Sequence, residues 1–580
     1  MIAWDSTHLG RGWWNANIFA PHPLALAYSE HFLPQALQTL PIYAATRNPI
    51  LCYNVLFLST FVLSGIGMFL FVRELTRSDA AAIVAGLAFA FTPYRIASLP
   101  HLQVLSAAWM PFVLYGVRRF VETRRVLPLA GAAAAWVVQS LSCGYYLFFF
   151  SPVIVCYTAW ELLRTGAWRD RRVLMQVALA AGVAIAATVP FLIPYLELRR
   201  LGFTARSLEE TRRFSADVYA YFTADPNLRL WGPIAQAWPH AEGVLFPGLT
   251  IAALAAIGAV RESRLRIRSA AMLPGLAWAA IVVALLLNYS IRLPGIKMTS
   301  LSRVLIAGAL AAATLAAVSG RTRATVAAWL KTPAAFFTLT AVFAIAMSFG
   351  PDVRAKGRMV ANVNIYAVFY NYIPGFDGLR VPARSAMIAA LALAALAGLG
   401  IAALDVRYRR RAAIVAGALI VVEAAAVPIP IDENPTHYAH AQLAPLPPAL
   451  ALGAETPPLY RYLAQLPDSA AVLEMPLGEP AFDIRYMFYS TVHWRRLVNG
   501  YSGGAPADYT LLTEALNDAL TRPDRAWEAV KQSGATHLVV HEVYFQEDFG
   551  PRLSAWARAR GAREIAAFGG DRLFSIEVAR

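Results

Sequence analysis

Short basic segments alternate along this chain with apolar segments long enough to cross a bilayer. The basic segments are residues 73–77, 118–125, 164–172, 261–268, 321–331 and 407–411. The links on the alternate side, such as 98–100 and 142–144, contain no Lys or Arg. Because cytoplasmic loops retain Lys and Arg, this alternation predicts both the topology and the orientation of a polytopic membrane protein.

The composition agrees with a membrane protein and excludes other classes. Of the 580 residues, 58% are hydrophobic and 15% are charged, whereas soluble domains carry about 25% charged residues. The net charge of +15 does not indicate nucleic acid, because most of the basic residues lie in the short loops that topology explains. Three scattered cysteines are too few for a disulfide framework or a zinc site. No motif indicates a cofactor, and a need for divalent metal stays open.

The apolar segments predict an α-helical polytopic membrane protein with about twelve transmembrane helices between residues 50 and 427. The predicted spans are 50–72, 80–97, 102–117, 126–141, 144–163, 173–195, 244–260, 269–287, 301–318, 333–349, 385–404 and 412–427. This topology leaves an interfacial segment (1–49), two loops (196–243 and 350–384) and the tail outside. It predicts a multi-pass membrane protein whose C-terminal domain lies outside the cytoplasm.

The tail differs in composition from the rest of the chain. Residues 428–458 are rich in proline and read as a linker. Residues 459–580 show short buried strands at 470–475 and 537–543, helical spacing at 511–520, 524–532 and 553–560, and a closing strand near 572–578. We therefore predict a small α/β domain here. At the other end, segment 1–49 would need a helix to carry it across the membrane, so we expect a further upstream helix.

The first outer segment contains the candidate catalytic acids. Glu30 and His31 adjoin each other among apolar neighbours, and Asp5 is an earlier carboxylate. A partly desolvated carboxylate can hold a raised pKa and accept a proton from a hydroxyl group. The alternative is structural: Glu30 caps or hydrogen-bonds the loop, and His31 lies at the membrane interface.

Several polar residues at the outer helix ends are candidates for substrate binding. Arg95 ends the second span, and His101 and Gln103 begin the third. These groups could hold a phosphate at headgroup depth, or Arg95 could extend to the interface as long cationic side chains do. Tyr145 is either part of an aromatic belt or a platform for a sugar.

The two long outer loops are basic although they lie outside. Arg213 closes an arginine-rich stretch, and Arg380 and Arg384 stand at the start of the eleventh span. Arginine favours bidentate contacts to phosphate. The loops therefore suit a lipid phosphate, although ordinary phospholipid headgroups would satisfy the same side chains.

Four stretches of the chain resemble a known group of proteins: NANIFAPHPLALAYSEHFLPQAL, RNPILCYNVLFLSTFVLSGIGMFLFVREL, GLAFAFTPYRIASLPHLQVLSAAWMPF and FDGLRVPARSAMIAALALAAL. They are similar to a broad family of bacterial polytopic proteins that belong to, or adjoin, the GT-C glycosyltransferases, which include protein mannosyltransferases and lipid A aminoarabinose transferases. The tail stretch VLEMPLGEPAFDIRYMFYSTVHWRRLVNGYSG is also similar to the periplasmic domain of such proteins. The resemblance implies a multi-pass protein of the bacterial inner membrane with a periplasmic C-terminal domain. It also implies a polyprenyl-phosphate sugar donor, an acceptor outside the cytoplasm, and an acidic base in the first outer loop. Glu30 matches a later acidic position of that loop.

The sequence therefore predicts a membrane glycosyltransferase that moves one sugar, with inversion, from a polyprenyl-phosphate donor to a lipid, glycan or protein acceptor. Glu30 or Asp5 would act as the base, and Arg380, Arg384 and Arg95 would stabilise the departing phosphate. Two alternatives remain open. One is a non-catalytic protein that binds or flips lipid-linked sugar. The other is a secondary transporter, which would show inverted repeats and interrupted helices.

Overall fold

The computed structural model describes residues 12–203, 205–261, 269–293, 296–362, 364–429, 442–447 and 449–577. The chain divides into two compact units. The helical unit comprises Phe32–Phe191 and Thr204–Ile429, and the mixed unit comprises Met1–His31, Leu192–Phe203 and Pro430–Arg580. Asp5, basic segment 261–268 apart from Arg261, and much of the predicted linker lie outside the described residues.

Long apolar helices make up most of the helical unit. Its helices are α1 (Leu33–Thr46), α2 (Pro49–Thr76), α3 (Asp79–Ala90), α4 (Pro93–Ala97), α5 (Leu102–Leu105), α6 (Trp109–Thr123), α7 (Val126–Ser142), α8 (Gly144–Thr165), α9 (Arg171–Thr188), α11 (Leu208–Arg213), α12 (Leu249–Arg261), α13 (Ser269–Leu286), α14 (Leu301–Val318), α15 (Gly320–Leu330), α16 (Pro333–Ser348), α17 (Ile365–Tyr372), α18 (Ala386–Ala402) and α19 (Val406–Glu423). Two antiparallel hairpins complete it: β1 (Ile291–Leu293) with β2 (Ile296–Met298), and β3 (Val353–Ala355) with β4 (Arg358–Ala361). Helix α10 (Ile193–Arg200) belongs to the mixed unit.

Among the described residues, fewer helices have the length and composition of a membrane span than the twelve that the sequence predicts. Within the described residues, five helical segments are long and apolar enough to cross a membrane: Pro49–Thr76, Asp79–Ala97, Gly144–Thr165, Arg171–Arg200 and Pro382–Ala402. The bent pair Leu301–Leu315 and Gly320–Leu330 would make a sixth if it counts as one span. Other apolar helices, such as Pro333–Ser348, are shorter. The helical membrane class is confirmed, whereas the number twelve is not.

The predicted continuous span 102–117 is wrong, because Gln139 interrupts it. The Gln139 side-chain amide donates to the Ser106 carbonyl at 2.7 Å, and its side-chain oxygen accepts from the Trp109 amide at 3.1 Å. The guanidinium of Arg95 donates a hydrogen bond to the Leu105 carbonyl at 3.0 Å. These side chains satisfy backbone groups that an unbroken helix would pair internally, so two helices form with a turn between them.

Small residues allow the central helices to approach closely. Helix α18 is buried along nearly its whole length. An added Cβ at Gly400 of α18 would collide with the Leu254 carbonyl of α12, and one at Gly258 of α12 would collide with the Leu396 carbonyl of α18. Such backbone approach is how helices pack where lipid removes the hydrophobic driving force between them.

Three of the predicted cytoplasmic basic segments meet at one end of the helical unit. Arg118 contacts Glu161 at 2.9 Å and Glu122 at 2.7 Å, and Arg164 contacts Glu161 at 2.6 Å. Further pairs in this network are Arg77–Glu74, Arg77–Glu122, Arg119–Glu74 and Arg164–Glu122. The ion pairs place segments 73–77, 118–125 and 164–172 together, as the alternation predicted.

The mixed unit contains a five-stranded sheet in the order β6-β5-β7-β9-β8. Its strands are β5 (Ala471–Met475), β6 (Arg496–Leu497), β7 (His537–His541), β8 (Arg563–Phe568) and β9 (Asp571–Ser575), and its further helices are α20 (Pro458–Leu463), α21 (Pro480–His493), α22 (Ala507–Asn517), α23 (Pro523–Gln532) and α24 (Phe549–Ala559). Strand β5 pairs in parallel with β6 and β7, and β9 pairs antiparallel with β7 and β8. The predicted small α/β fold of the tail is confirmed.

A short part of the predicted outer segment, residues 17–20, packs along the edge of this sheet. The Leu497 amide donates to the Asn17 carbonyl at 2.6 Å, and the Ala20 amide donates to the Leu497 carbonyl at 3.0 Å. The ring of Phe19 meets that of Tyr509 edge-on, with centroids 5.0 Å apart. Segment 17–20 therefore extends the sheet at its β6 edge, as an added strand would.

Candidate functional site

A buried ion pair stands at the end of the helical unit that is opposite to the basic network. The short helix Pro382–Ser385 leads into α18 and carries Arg384, which is 4% exposed. An Nη of Arg384 donates to Oε1 of Glu242 at 2.8 Å, and its guanidinium lies 4.8 Å from the centre of the Tyr145 ring. The pairing satisfies part of the charge that burial would otherwise penalise.

Aromatic packing fixes the segment that carries the arginines. Phe376 contacts Phe148, Phe149 and Tyr366 with ring centroids 5.3 to 5.8 Å apart. The Tyr366 hydroxyl also donates to the Leu379 carbonyl at 3.1 Å. Segment 376–384 is therefore held on a rigid base, which favours a defined position for each arginine.

The two basic outer loops, which lie far apart in sequence, meet in the structure. The Arg206 amide donates to the Asp377 carbonyl at 3.0 Å, and the Tyr370 hydroxyl donates to the Arg206 carbonyl at 2.5 Å. Arg213 and Arg380 both lie against the ring of Phe214, at 5.7 and 5.0 Å from its centre. Among the described residues, neither of these two arginines forms an ion pair with a carboxylate. Their charges are available to an anion.

Two buried donors near Arg384 lack acceptors among the described residues. They are Nε of Arg384 and the hydroxyl of Tyr94, a residue that is 4% exposed. Tyr94 lies within electrostatic range of both Arg384 and Glu242. A buried donor without an acceptor lowers the stability of the fold. An anionic oxygen in this region could accept hydrogen bonds from both groups.

Arg95 is enclosed within the helical unit, whereas the predicted phosphate-binding role requires an accessible guanidinium group. It is fully buried, and its guanidinium donates to Ser64, Thr60 and the Leu105 carbonyl at 3.0 to 3.3 Å. The group also lies 4.8 Å from the Phe61 ring centre. Arg95 has no surface with which to contact a phosphate, and its observed role is to join α2 to the α4–α5 region.

His101 and Gln103 lie at the start of the short helix α5, and both are half-buried. The Tyr146 hydroxyl donates to the Val104 carbonyl at 2.5 Å and holds this helix beside α8. Tyr145 is the neighbour of that anchor, and its ring faces Arg384. Tyr145 therefore has a defined neighbour in Arg384, while its role as a platform for a sugar stays a prediction.

Glu30 and His31 lie in the mixed unit. Glu30 is half-buried and accepts a hydrogen bond from the Ser29 hydroxyl at 2.8 Å, while the Tyr195 hydroxyl donates to the Ser29 carbonyl at 2.9 Å. Burial lowers the pKa of His31 to about 4, and its ring meets that of Trp14 edge-on at 5.3 Å. His31 is therefore neutral at pH 7. Asp5 lies outside the described residues.

Sequence reasoning missed Glu242. This residue sits in the predicted loop 196–243 without any recognisable motif around it, so only the ion pair with Arg384 identifies it. Two cavities of about 380 and 430 Å³ lie in the mixed unit, and Ala20, Pro21 and His22 line both of them. Within the described residues, no group of three or more His, Cys, Asp or Glu is placed to hold a metal ion.

Residues 15–293 match a family model described as Domain of unknown function (DUF6311). No curated protein sequence matches the chain. The structure is similar to that of ArnT from Cupriavidus metallidurans bound to undecaprenyl phosphate, with 15% identity, 95% of this chain and 88% of that chain covered, and a TM-score of 0.37. For ArnT in the apo state the identity is 15%, the coverage 93% and 87%, and the TM-score 0.32.

Proposed function

We propose that this protein is a membrane glycosyltransferase that moves a sugar from a polyprenyl-phosphate donor to an acceptor hydroxyl outside the cytoplasm. The observation that carries the proposal is the meeting of Arg213 and Arg380, from two separate loops, across the ring of Phe214. The buried Arg384 lies four residues after Arg380 on the same segment. Two of these arginines have no carboxylate partner among the described residues. The third lies in a region where buried donors lack acceptors.

The chemistry of sugar transfer from such a donor suits an arginine cluster. As the glycosidic bond breaks, negative charge collects on the departing lipid phosphate, and fixed guanidinium groups stabilise it most at that moment. Their rigid support lowers the cost of arranging them during the reaction. Ordinary phospholipid would bind the same charges, but it supports no turnover.

The base remains a prediction from the sequence. Glu30, or Asp5, would remove the proton from the acceptor hydroxyl, and a single displacement would invert the anomeric centre.

The test is transfer by the purified full chain, supplied with radiolabelled polyprenyl-phosphate sugars and assayed by lipid extraction. We expect Arg380→Gln to reduce turnover at least tenfold. Arg410→Gln, an exposed arginine of the same unit outside the cluster, should be unaffected. Glu30→Ala should abolish transfer while leaving lipid binding intact. Equal turnover in Arg380→Gln and Arg410→Gln would remove the cluster from the mechanism. Binding without any transfer would favour a protein that binds or flips lipid-linked sugar.

A further inference from the structure

Glu242 occupies a backbone position that favours other residues. The Gly243 amide donates to the His240 carbonyl at 2.9 Å and closes a tight turn in which Glu242 is the third residue. Its φ is +57°, in the left-handed region. Turns of this kind favour Gly or Asn at that position, because a larger side chain is strained there.

The strained turn brings a carboxylate to the buried arginine. The Glu242 side chain is 22% exposed, whereas that of Arg384 is 5% exposed. Glu242 therefore lies on the solvent side of the pair, with a route outward that Arg384 lacks. Non-glycine residues in such backbone regions persist when surrounding contacts enforce them, and they concentrate at functional sites.

The pair leaves the site incompletely satisfied. Glu242 accepts from one Nη of Arg384, while Nε of Arg384 and the Tyr94 hydroxyl have no acceptor among the described residues. A carboxylate has two oxygens and a phosphate monoester has three that can accept hydrogen bonds. A phosphate at this position could engage more donors than Glu242 does.

We propose that Glu242 is an internal counter-ion that occupies the phosphate position on Arg384 and is displaced when the substrate's phosphate binds. The inference deepens the proposed function and depends on it. Without substrate, Glu242 prevents a buried, unpaired guanidinium, which would be strongly destabilising. With substrate, Arg384 exchanges one anion for another and Glu242 moves toward solvent. No covalent bond changes in this step.

Exchange of this kind makes the native glutamate a competitor of the ligand. Removing its charge should therefore tighten the binding of a phosphorylated lipid, whereas a residue with only a structural role would weaken binding when it is replaced. Glu242→Gln keeps the shape and removes the charge. Glu242→Gly also removes the backbone strain, because glycine accepts positive φ freely.

The experiment measures the binding of a polyprenyl monophosphate and of the uncharged polyprenol of equal length to the full chain in phosphatidylcholine nanodiscs. We expect Glu242→Gln and Glu242→Gly to bind the monophosphate roughly tenfold more tightly than the native protein, since close charge pairs couple by at least that much. Polyprenol binding should not change. Glu209→Gln, an exposed glutamate on α11, is the matched control and should bind like the native protein.

The outcomes separate the two proposals. If the native protein does not prefer monophosphate to polyprenol, the phosphate site itself is wrong. If it does prefer monophosphate, and Arg384→Gln removes that preference, but Glu242→Gln binds equally or more weakly, the counter-ion role is refuted. Thermal unfolding shows whether each variant is folded. Adding monophosphate should raise the unfolding midpoint of Glu242→Gly by more than that of the native protein, because the ligand then supplies the missing anion.

Discussion

Raising the pH from 7 to 9.5 is expected to weaken the sheet of the mixed unit, because its centre contains a buried imidazolium. Nδ1 of His541 lies 2.7 Å from Asp571, and Nε2 lies 2.9 Å from Glu474. His541 is 1% exposed and Glu474 is fully buried. Carboxylates only accept hydrogen bonds, so both ring nitrogens must carry protons for the two contacts to form.

The magnitude follows from the pKa of this group. Burial alone would lower the pKa of His541, but the hydrogen bonds and charges of Asp571 and Glu474 raise it from 6.5 to about 9. The folded state therefore holds the proton more tightly than the unfolded chain. The resulting stability is fully present below pH 6.5 and is lost as the pH rises through about 9. Between pH 7 and 9.5 the loss is about 2 kcal/mol.

Hydrogen–deuterium exchange of the full chain measures this loss without a separate domain. Protection factors for β5 and β7, which correct for the intrinsic pH dependence of exchange, should fall roughly 50-fold between pH 7 and 9.5. The variant His541→Gln cannot be charged and should show a flat profile over the same range. Equal protection of the native protein at both pH values would refute the imidazolium. A fall of the same size in His541→Gln would assign the effect to another group.

Three further predictions concern other parts of the chain. Glu161→Ala should lower the free energy of unfolding by about 3–5 kcal/mol, because it leaves Arg118 and Arg164 without a buried partner; thermal unfolding followed by circular dichroism measures the loss, and an unchanged midpoint would contradict it. Gly400→Val should separate α18 from α12 and lower the unfolding midpoint, whereas unchanged stability would show that these helices can adjust. Burial raises the pKa of Asp483 to about 7, so the stability of the folded state should decline as the pH rises from about 4 to 7. Exchange protection of α21 measures this decline, and the pH dependence should be absent in Asp483→Asn.

Much of the local structure was predictable because hydrophobic periodicity and turn residues act over short distances. The predicted strands 470–475 and 537–543 correspond to Ala471–Met475 and His537–His541. The break in the predicted span 102–117 was not predictable, because Gln139, which interrupts it, comes from a later helix. Side chains that compete for backbone groups from a distance leave no mark on the local pattern.

The sequence by itself determined the class of protein, the meeting of the basic segments at one end and the α/β nature of the tail. These follow from composition and from charge and apolar spacing, which act along the chain. Only the tertiary structure decided which polar residues share a site. It brought Arg213 to Arg380 across the ring of Phe214 and gave Arg384 the partner Glu242, but it enclosed Arg95 among helix carbonyls. Packing between distant segments sets how deeply a charged side chain is buried and which groups surround it. Its burial and its neighbours then determine whether an arginine can contact a ligand or only connects helices.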